Sequence, residues 1–137
     1  MTNKNLQNKF NINLNNYKSL CNKYIIFENK CKGKEFNVNN DKLIFEGEYL
    51  NGVRNGKGKE YNDYNGNLQF EGEYLNGLRN GYGKEYYYSG KIEFEGEYLN
   101  GKRNGKGKEY NDYNGKLKYE GEYLNGKRNG KGKEYKI

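Results

Sequence analysis

Four near-identical strings recur along this chain, and that repetition restricts the fold more than any other feature. They read FEGEYLNGVRNGKGKEY from Phe45, FEGEYLNGLRNGYGKEY from Phe70, FEGEYLNGKRNGKGKEY from Phe94 and YEGEYLNGKRNGKGKEY from Tyr119, with starts 25, 24 and 25 residues apart. A unit this short cannot enclose a core of its own. Copies at a fixed period bury their apolar surface by stacking on their neighbours, as solenoids and arrays do.

Within a unit the pattern is that of a β-hairpin. Phe45-Glu46-Gly47-Glu48-Tyr49-Leu50 alternates charge with aromatic or glycine, which is the period of a strand. Asn51-Gly52-Val53-Arg54-Asn55-Gly56 follows, with two Asn-Gly pairs that accept positive φ and favour turning. Lys57 to Tyr61 reads as a returning strand, and Asn62-Asp63-Tyr64-Asn65-Gly66 as a turn toward Phe70. The expected fold is all-β: an elongated, single-layer antiparallel meander of stacked β-hairpins with about nine or ten short strands.

One register uses the residues economically. With Leu50 opposite Lys57, Tyr49 falls opposite Gly58 and Glu48 opposite Lys59. A ring then covers a bare glycine, and opposite charges meet across strands. The same pairing recurs as Tyr74 with Gly83, Tyr98 with Gly107 and Tyr123 with Gly132. Gly47, Gly72, Gly96 and Gly121 complete the expected structural positions. The string Gly56-Lys57-Gly58-Lys59 has a superficial likeness to a phosphate-cradling loop. No helix pattern follows it and every unit carries it, so architecture is the better reading.

Composition excludes most chemistry. Hydrophobic residues make up 32% of the chain, and 16 tyrosines supply much of that share. Such a chain could be read as disordered, but its internal order argues against this for most of its length. Asn, Lys, Tyr and Ile are abundant and share AT-rich codons, so part of the net charge of +7 is compatible with base composition alone. The absence of His removes the commonest general base and metal ligand. Cys21 and Cys31 lack further soft ligands for zinc. Carboxylates that repeat identically opposite lysine do not provide the two contrasting environments of an acid–base pair. No catalytic, cofactor-binding or metal site is expected, and no cofactor.

Residues 1–20 lack the continuous apolar run of a signal peptide, and no stretch reaches the apolar length of a membrane-spanning helix. The expectation is a soluble, cytoplasmic protein with two reduced thiols, a disulfide between them being the alternative that nothing else in the sequence supports.

The repeated residues resemble a known family. Glu46-Gly47-Glu48-Tyr49, then Asn51-Gly52, Arg54-Asn55-Gly56 and Gly58, are similar to the MORN repeat (membrane occupation and recognition nexus). The likeness covers residues 45–137 and recurs four times. It departs from the family in having tyrosine at Tyr49, Tyr74, Tyr98 and Tyr123, where Trp is frequent. It also has asparagine at Asn55, Asn80, Asn104 and Asn129, where His is frequent. The Asn-Asp-Tyr-Asn-Gly connector makes the units slightly long, with some likeness to related bacterial repeats described as antitoxin-like. The resemblance implies an elongated twisted sheet and roles in scaffolding, protein interaction or acidic phospholipid binding.

The first 44 residues depart from the repeat. Leu6, Phe10, Leu14, Tyr17, Cys21 and Tyr24 fall on helical spacing, although the intervening Asn residues are poor helix formers. Residues 1–23 therefore read as a segment whose helix caps the open first edge of the sheet, with a targeting or partner-binding segment as the alternative. Gly33-Lys34-Glu35-Phe36 precedes Gly58-Lys59-Glu60-Tyr61 by 25 positions, the period of the array. Residues 24–44 read as a degenerate leading repeat, before the four full ones at 45–137.

Charge is unevenly placed. Residues 1–44 carry eight lysines against three acids, a net +5, whereas residues 45–137 carry 17 basic and 15 acidic residues, a net +2. A nearly neutral array weakens any nucleic-acid reading. Stacked hairpins align equivalent turns, so Lys102, Arg103, Lys106 and Lys108 should join Lys127, Arg128, Lys131 and Lys133 in one basic edge. That edge is the candidate site for anionic lipid or a partner protein, with solvated, glutamate-paired tips as the plainer reading. Two function classes remain. One is a non-catalytic protein-interaction scaffold; the other is peripheral binding to acidic phospholipid membranes. The final residues, Lys133 to Ile137, read as an open edge strand, which predicts a homodimer through the C-terminal repeat.

Overall fold

The computed structural model describes residues 22–136. Apart from Asn22 and Lys23, the segment expected to carry a capping helix lies outside them. The described residues form ten strands: β1 (Lys23–Phe27), β2 (Lys32–Asn37), β3 (Leu43–Leu50), β4 (Val53–Tyr61), β5 (Leu68–Leu75), β6 (Leu78–Tyr86), β7 (Ile92–Leu99), β8 (Lys102–Tyr110), β9 (Leu117–Leu124) and β10 (Lys127–Glu134). They pair in chain order, each antiparallel to the next, in one open sheet. At about 4.8 Å per strand the sheet is roughly 43 Å across.

The hairpins close more tightly than the sequence register supposes. Leu50 pairs with Val53, leaving Asn51-Gly52 as a two-residue turn. Both turn residues have positive φ, 51° and 79°. That is the primed geometry whose twist matches the flanking strands. The six-residue loop implied by Leu50 opposite Lys57 does not form. Tyr49 consequently lies opposite Arg54, not Gly58, and Glu46, not Glu48, lies opposite Lys59. The same correction applies in every unit: Tyr74 faces Arg79, Tyr98 faces Arg103 and Tyr123 faces Arg128.

A bulge opposite Glu48 absorbs the surplus residues. Between the Gly47–Gly58 and Tyr49–Arg54 pairs, one residue faces three. In the second unit, the Glu73 carboxylate accepts the Tyr82 N–H at 2.6 Å and so satisfies the bulged backbone. Gly81 has φ of 103°, and a Cβ there would stand 2.5 Å from that carboxylate. The positive φ favours glycine here, and a Cβ would displace the carboxylate that satisfies the bulge.

With this register glycine pairs with glycine. Gly33, Gly47, Gly58, Gly72, Gly83, Gly96, Gly107, Gly121 and Gly132 form an unbroken line across nine strands. The line is the floor on which rings lie. A Cβ on Gly83 would stand 2.5 Å from Phe70 Cζ and 3.2 Å from Tyr98 Cε2. The sequence idea that rings cover glycine thus holds, but the partners change. Gly58, Gly83 and Gly107 are each covered by the phenylalanine of their own hairpin and the tyrosine of the next, and Gly132 by Tyr119.

These rings are the core. Phe45, Phe70, Phe94 and Tyr119 alternate with Tyr49, Tyr74, Tyr98 and Tyr123 in one buried cluster. Edge-to-face contacts run through it without a break: Phe70 meets Tyr74 at 5.8 Å and Tyr98 at 5.2 Å between centroids. Each such pair contributes about 0.5–1.5 kcal/mol beyond area burial. Tyr98 is 4% exposed and the adjacent Leu99 is 50% exposed, so successive side chains take opposite faces.

That alternation gives a direct test. Tyr98→Ala should lower the unfolding free energy by about 2–4 kcal/mol in urea titration, as deletion of a buried aromatic does. Leu99→Ala should cost less than about 0.5 kcal/mol. Equal losses at the two positions would contradict the two-faced sheet.

Candidate functional site

The two faces of the sheet do different things. On the ring face, each unit is tied to the one before it by a carboxylate node. Glu60 on β4 receives Arg79 Nε at 3.0 Å and Nη2 at 2.9 Å, together with the Tyr74 hydroxyl. The Arg79 guanidinium also lies 3.9 Å above the Phe70 ring. The arrangement repeats with Glu85, Arg103 and Tyr98, and again with Glu109, Arg128 and Tyr123. In the leading hairpin, Glu35 holds this position and receives Arg54, Tyr49 and Lys23.

The electrostatics follow from this geometry. Burial pushes the Glu35 carboxyl upward, but hydrogen bonds from Arg54 and Lys23 outweigh it and hold the group at about 2. At Glu109, hydrogen bonds from Arg128 dominate, and the carboxyl again sits at about 2. Burial and the Glu85 carboxylate push the Tyr98 hydroxyl well above the ordinary phenol range. A guanidinium, a carboxylate and a phenol so placed have no acid or base near neutrality to offer a reaction.

The opposite face is open. Along it run alternating rungs: Lys34, Glu46, Lys59, Glu71, Lys84, Glu95, Lys108, Glu120 and Lys133, each opposite the next. Glu46 and Glu71 accept the hydroxyls of Tyr61 and Tyr86 at 2.8 and 2.6 Å. Among the described residues, Lys59, Lys84 and Lys108 hold no carboxylate within 4 Å. A second row, including Glu48, Lys57, Glu73, Glu97, Lys106, Glu122 and Lys131, stands on the other side of the glycine line. The two rows wall a groove whose floor is bare backbone. Tyr82, half-exposed where other units have lysine, divides it into stretches of about 750 and 740 Å³.

Beyond the second row, at the hairpin tips, is a line of exposed aliphatic residues. Leu50 pairs with Val53 and Leu75 with Leu78, whereas Leu99 pairs with Lys102 and Leu124 with Lys127. All six aliphatic side chains are 44–55% exposed.

The eight residues expected to form a basic edge therefore occupy three places. Lys102 and Lys127 stand exposed at the tips. Lys106, Lys108, Lys131 and Lys133 line the groove walls. Arg103 and Arg128 lie on the ring face, committed to Glu85 and Glu109. Sequence reading missed the node. A signal was present: arginine and glutamate keep their positions in every unit, whereas the tip residue changes from Val53 to Leu78 to Lys102 to Lys127.

A sheet built of stacked hairpin units, each bound to its neighbour through one face, defines a repeat-array protein. The MORN repeat family matches residues 45–66, 70–92, 94–115 and 119–136, and the chain belongs to that family. No curated protein matches it. Among solved structures, TarM is similar, with 15% identity and a TM-score of 0.50 over 90% of this chain. A structure of a TarM mutant from S. aureus, in complex with fondaparinux, alpha-GlcNAc-glycerol and UDP, is similar to the same degree. This chain spans a quarter of the length of either, and at that identity the likeness concerns fold alone.

The node sets the pH response. Glu35 and Glu109 titrate lower in the folded chain than their ordinary value of 4.5. They contribute stability that is present above that value and lost as pH falls toward about 2. Tyr74 and Tyr98 titrate above their ordinary value of 10.0, so their contribution is present below it and lost as pH rises beyond. The urea midpoint should be flat through neutrality and fall in both arms. Glu85→Gln should lower the plateau and make the acid arm shallower; an unchanged acid arm would separate acid unfolding from the nodes.

Proposed function

We propose that this chain is a non-catalytic interaction scaffold that docks another protein on its groove face. The observation that carries the reading is the tip row: six exposed aliphatic side chains in line on a chain of mean hydropathy −1.37. An apolar strip bordered by charge is the usual mark of an interaction surface. The adjoining walls alternate in sign and nearly cancel, which disfavours a polyanion. They suit a protein segment with an apolar strip and flanking charges of both signs. The ring face is consumed in stacking and leaves the groove face available.

Replacing Leu75 and Leu78 together by Ser should leave the unfolding free energy within about 0.5 kcal/mol of wild type, because both are already half-exposed. It should also remove the cross-linked partners that wild type captures in its native cell extract. The same partners recovered by both proteins would refute the reading.

A second reading has its own support. Lys102 and Lys127 stand beside Leu99 and Leu124 at the tips, a cation next to an aliphatic group, as interfacial membrane binders present. Wild type should then co-sediment with phosphatidylserine vesicles at low salt and release as salt rises, and Lys102→Glu with Lys127→Glu should abolish the binding. Indifference to such vesicles at low salt removes this reading and leaves the first intact.

A further inference from the structure

Four turns of this chain share the tripeptide Leu-Asn-Gly: Leu50-Asn51-Gly52, Leu75-Asn76-Gly77, Leu99-Asn100-Gly101 and Leu124-Asn125-Gly126. Their backbones are also alike. The asparagines have φ of 51°, 50°, 49° and 50°, and the glycines 79°, 87°, 88° and 88°. What differs is the neighbour. The Gly77 N–H donates to the Arg54 carbonyl, Gly101 to Arg79 and Gly126 to Arg103, each at 2.8 Å. Stacking one unit on the next thus ties down the glycine amide of three turns.

The first turn has no such tie. It rests against the β1–β2 hairpin, which turns differently over residues 28–31. There the nearest equivalent bond runs from the Tyr49 N–H to the Cys31 carbonyl, and the Gly52 N–H has no backbone acceptor among the described residues. Asn51, Gly52 and Val53 are all exposed.

We infer that Asn51 is a site of spontaneous deamidation, distinguished by this missing bond. The Gly52 amide nitrogen gives up its proton and attacks the Asn51 Cγ. A C–N bond forms, the side-chain Cγ–Nδ2 bond breaks, and ammonia leaves with the transferred proton. The resulting five-membered succinimide is opened by water to aspartate or isoaspartate. In the other three turns the carbonyl acceptor holds the amide proton and fixes the nitrogen in place, which opposes both steps.

The product carries one new carboxylate between Leu50 and Val53, at one end of the aliphatic tip row. The isoaspartate form also lengthens the backbone of a two-residue turn. The site therefore changes the charge of the proposed docking surface without touching the ring face. The chemistry itself does not depend on any partner.

The array supplies its own controls. The full chain is held at physiological temperature and mildly alkaline pH, then digested with trypsin and examined by mass spectrometry. Asn51, Asn100 and Asn125 fall in the separate peptides 43–54, 92–102 and 119–127. Asn51 should convert at least about fivefold faster than the other two, the factor set by one net hydrogen bond. In the urea-unfolded chain the rates should converge, because the tripeptide is the same. Equal rates in the folded chain overturn the inference. So does a lead of Asn51 that persists unchanged in urea, which would trace it to the following residue and not to stacking.

Discussion

A carboxylate on each returning strand grips a guanidinium and a phenol from the next hairpin, and the ring face depends on that grip. A single-layer sheet has nothing above its aromatic side chains to exclude water. Here the cover is the guanidinium itself: Arg54, Arg79, Arg103 and Arg128 lie 3.9–4.1 Å above the rings of Phe45, Phe70, Phe94 and Tyr119. A bare arginine in that position would pull solvent in. Neutralised by two hydrogen bonds to one carboxylate, it becomes a flat polar lid. Burying an ion pair carries a desolvation cost that its Coulomb attraction often fails to recover. The cost is offset here because the same groups cap rings and satisfy a tyrosine hydroxyl. Removing one member strands the other two.

The line of glycines is the other half of this construction. Rings can lie flat between lid and backbone only where no Cβ intervenes, and the paired glycines of eight successive interfaces provide that floor. Packing is thereby completed on one side of the sheet. Beyond the leading hairpin, where Tyr24, Val38 and Phe36 pack together, the opposite side carries no buried cluster among the described residues, and its residues vary from unit to unit. Tyr82 replaces a lysine, and Lys102 and Lys127 replace the aliphatic residues Val53 and Leu78. Constancy on the ring face and variation on the groove face have one cause, which is that stability and surface chemistry occupy different sides of the same strands.

The period and the alternation within each unit were enough to read the hairpins, the single sheet and the opposite facing of Tyr98 and Leu99. The register was not legible. Asn51-Gly52 and Asn55-Gly56 offer the same turn chemistry, and nothing local decides which of them closes the hairpin. The decision rests on twist and on the Glu48 carboxylate, which satisfies the bulge only if the first pair turns. The arginines were misplaced for a related reason. Counted as tip residues they belong with Lys102 and Lys127, whereas pairing with tyrosine puts them across the sheet. Their partners, Glu60 for Arg79 and Glu85 for Arg103, lie 19 and 18 residues away, in the preceding unit. A reading confined to one unit cannot see a contact that exists only between two.

Because every strong contact is made between neighbours, the described ends of the array differ in how firmly they are held. Glu35 is 1% exposed and receives an arginine, a lysine and a tyrosine. Glu109 is 12% exposed and keeps Arg128, Tyr123 and, farther off, Lys118. Glu134 on β10 is 76% exposed and holds only Arg128. In a one-dimensional array the weakest interface opens first, without disturbing interfaces farther along. Opening of β10 would pull Arg128 from Glu109 and so break that node, but leave the Glu85 and Glu60 nodes whole. Each further step breaks another such node, and each node joins the loss of a buried ring to the stranding of a charge. Fraying from β10 therefore proceeds in steps of one hairpin, and each step costs one node.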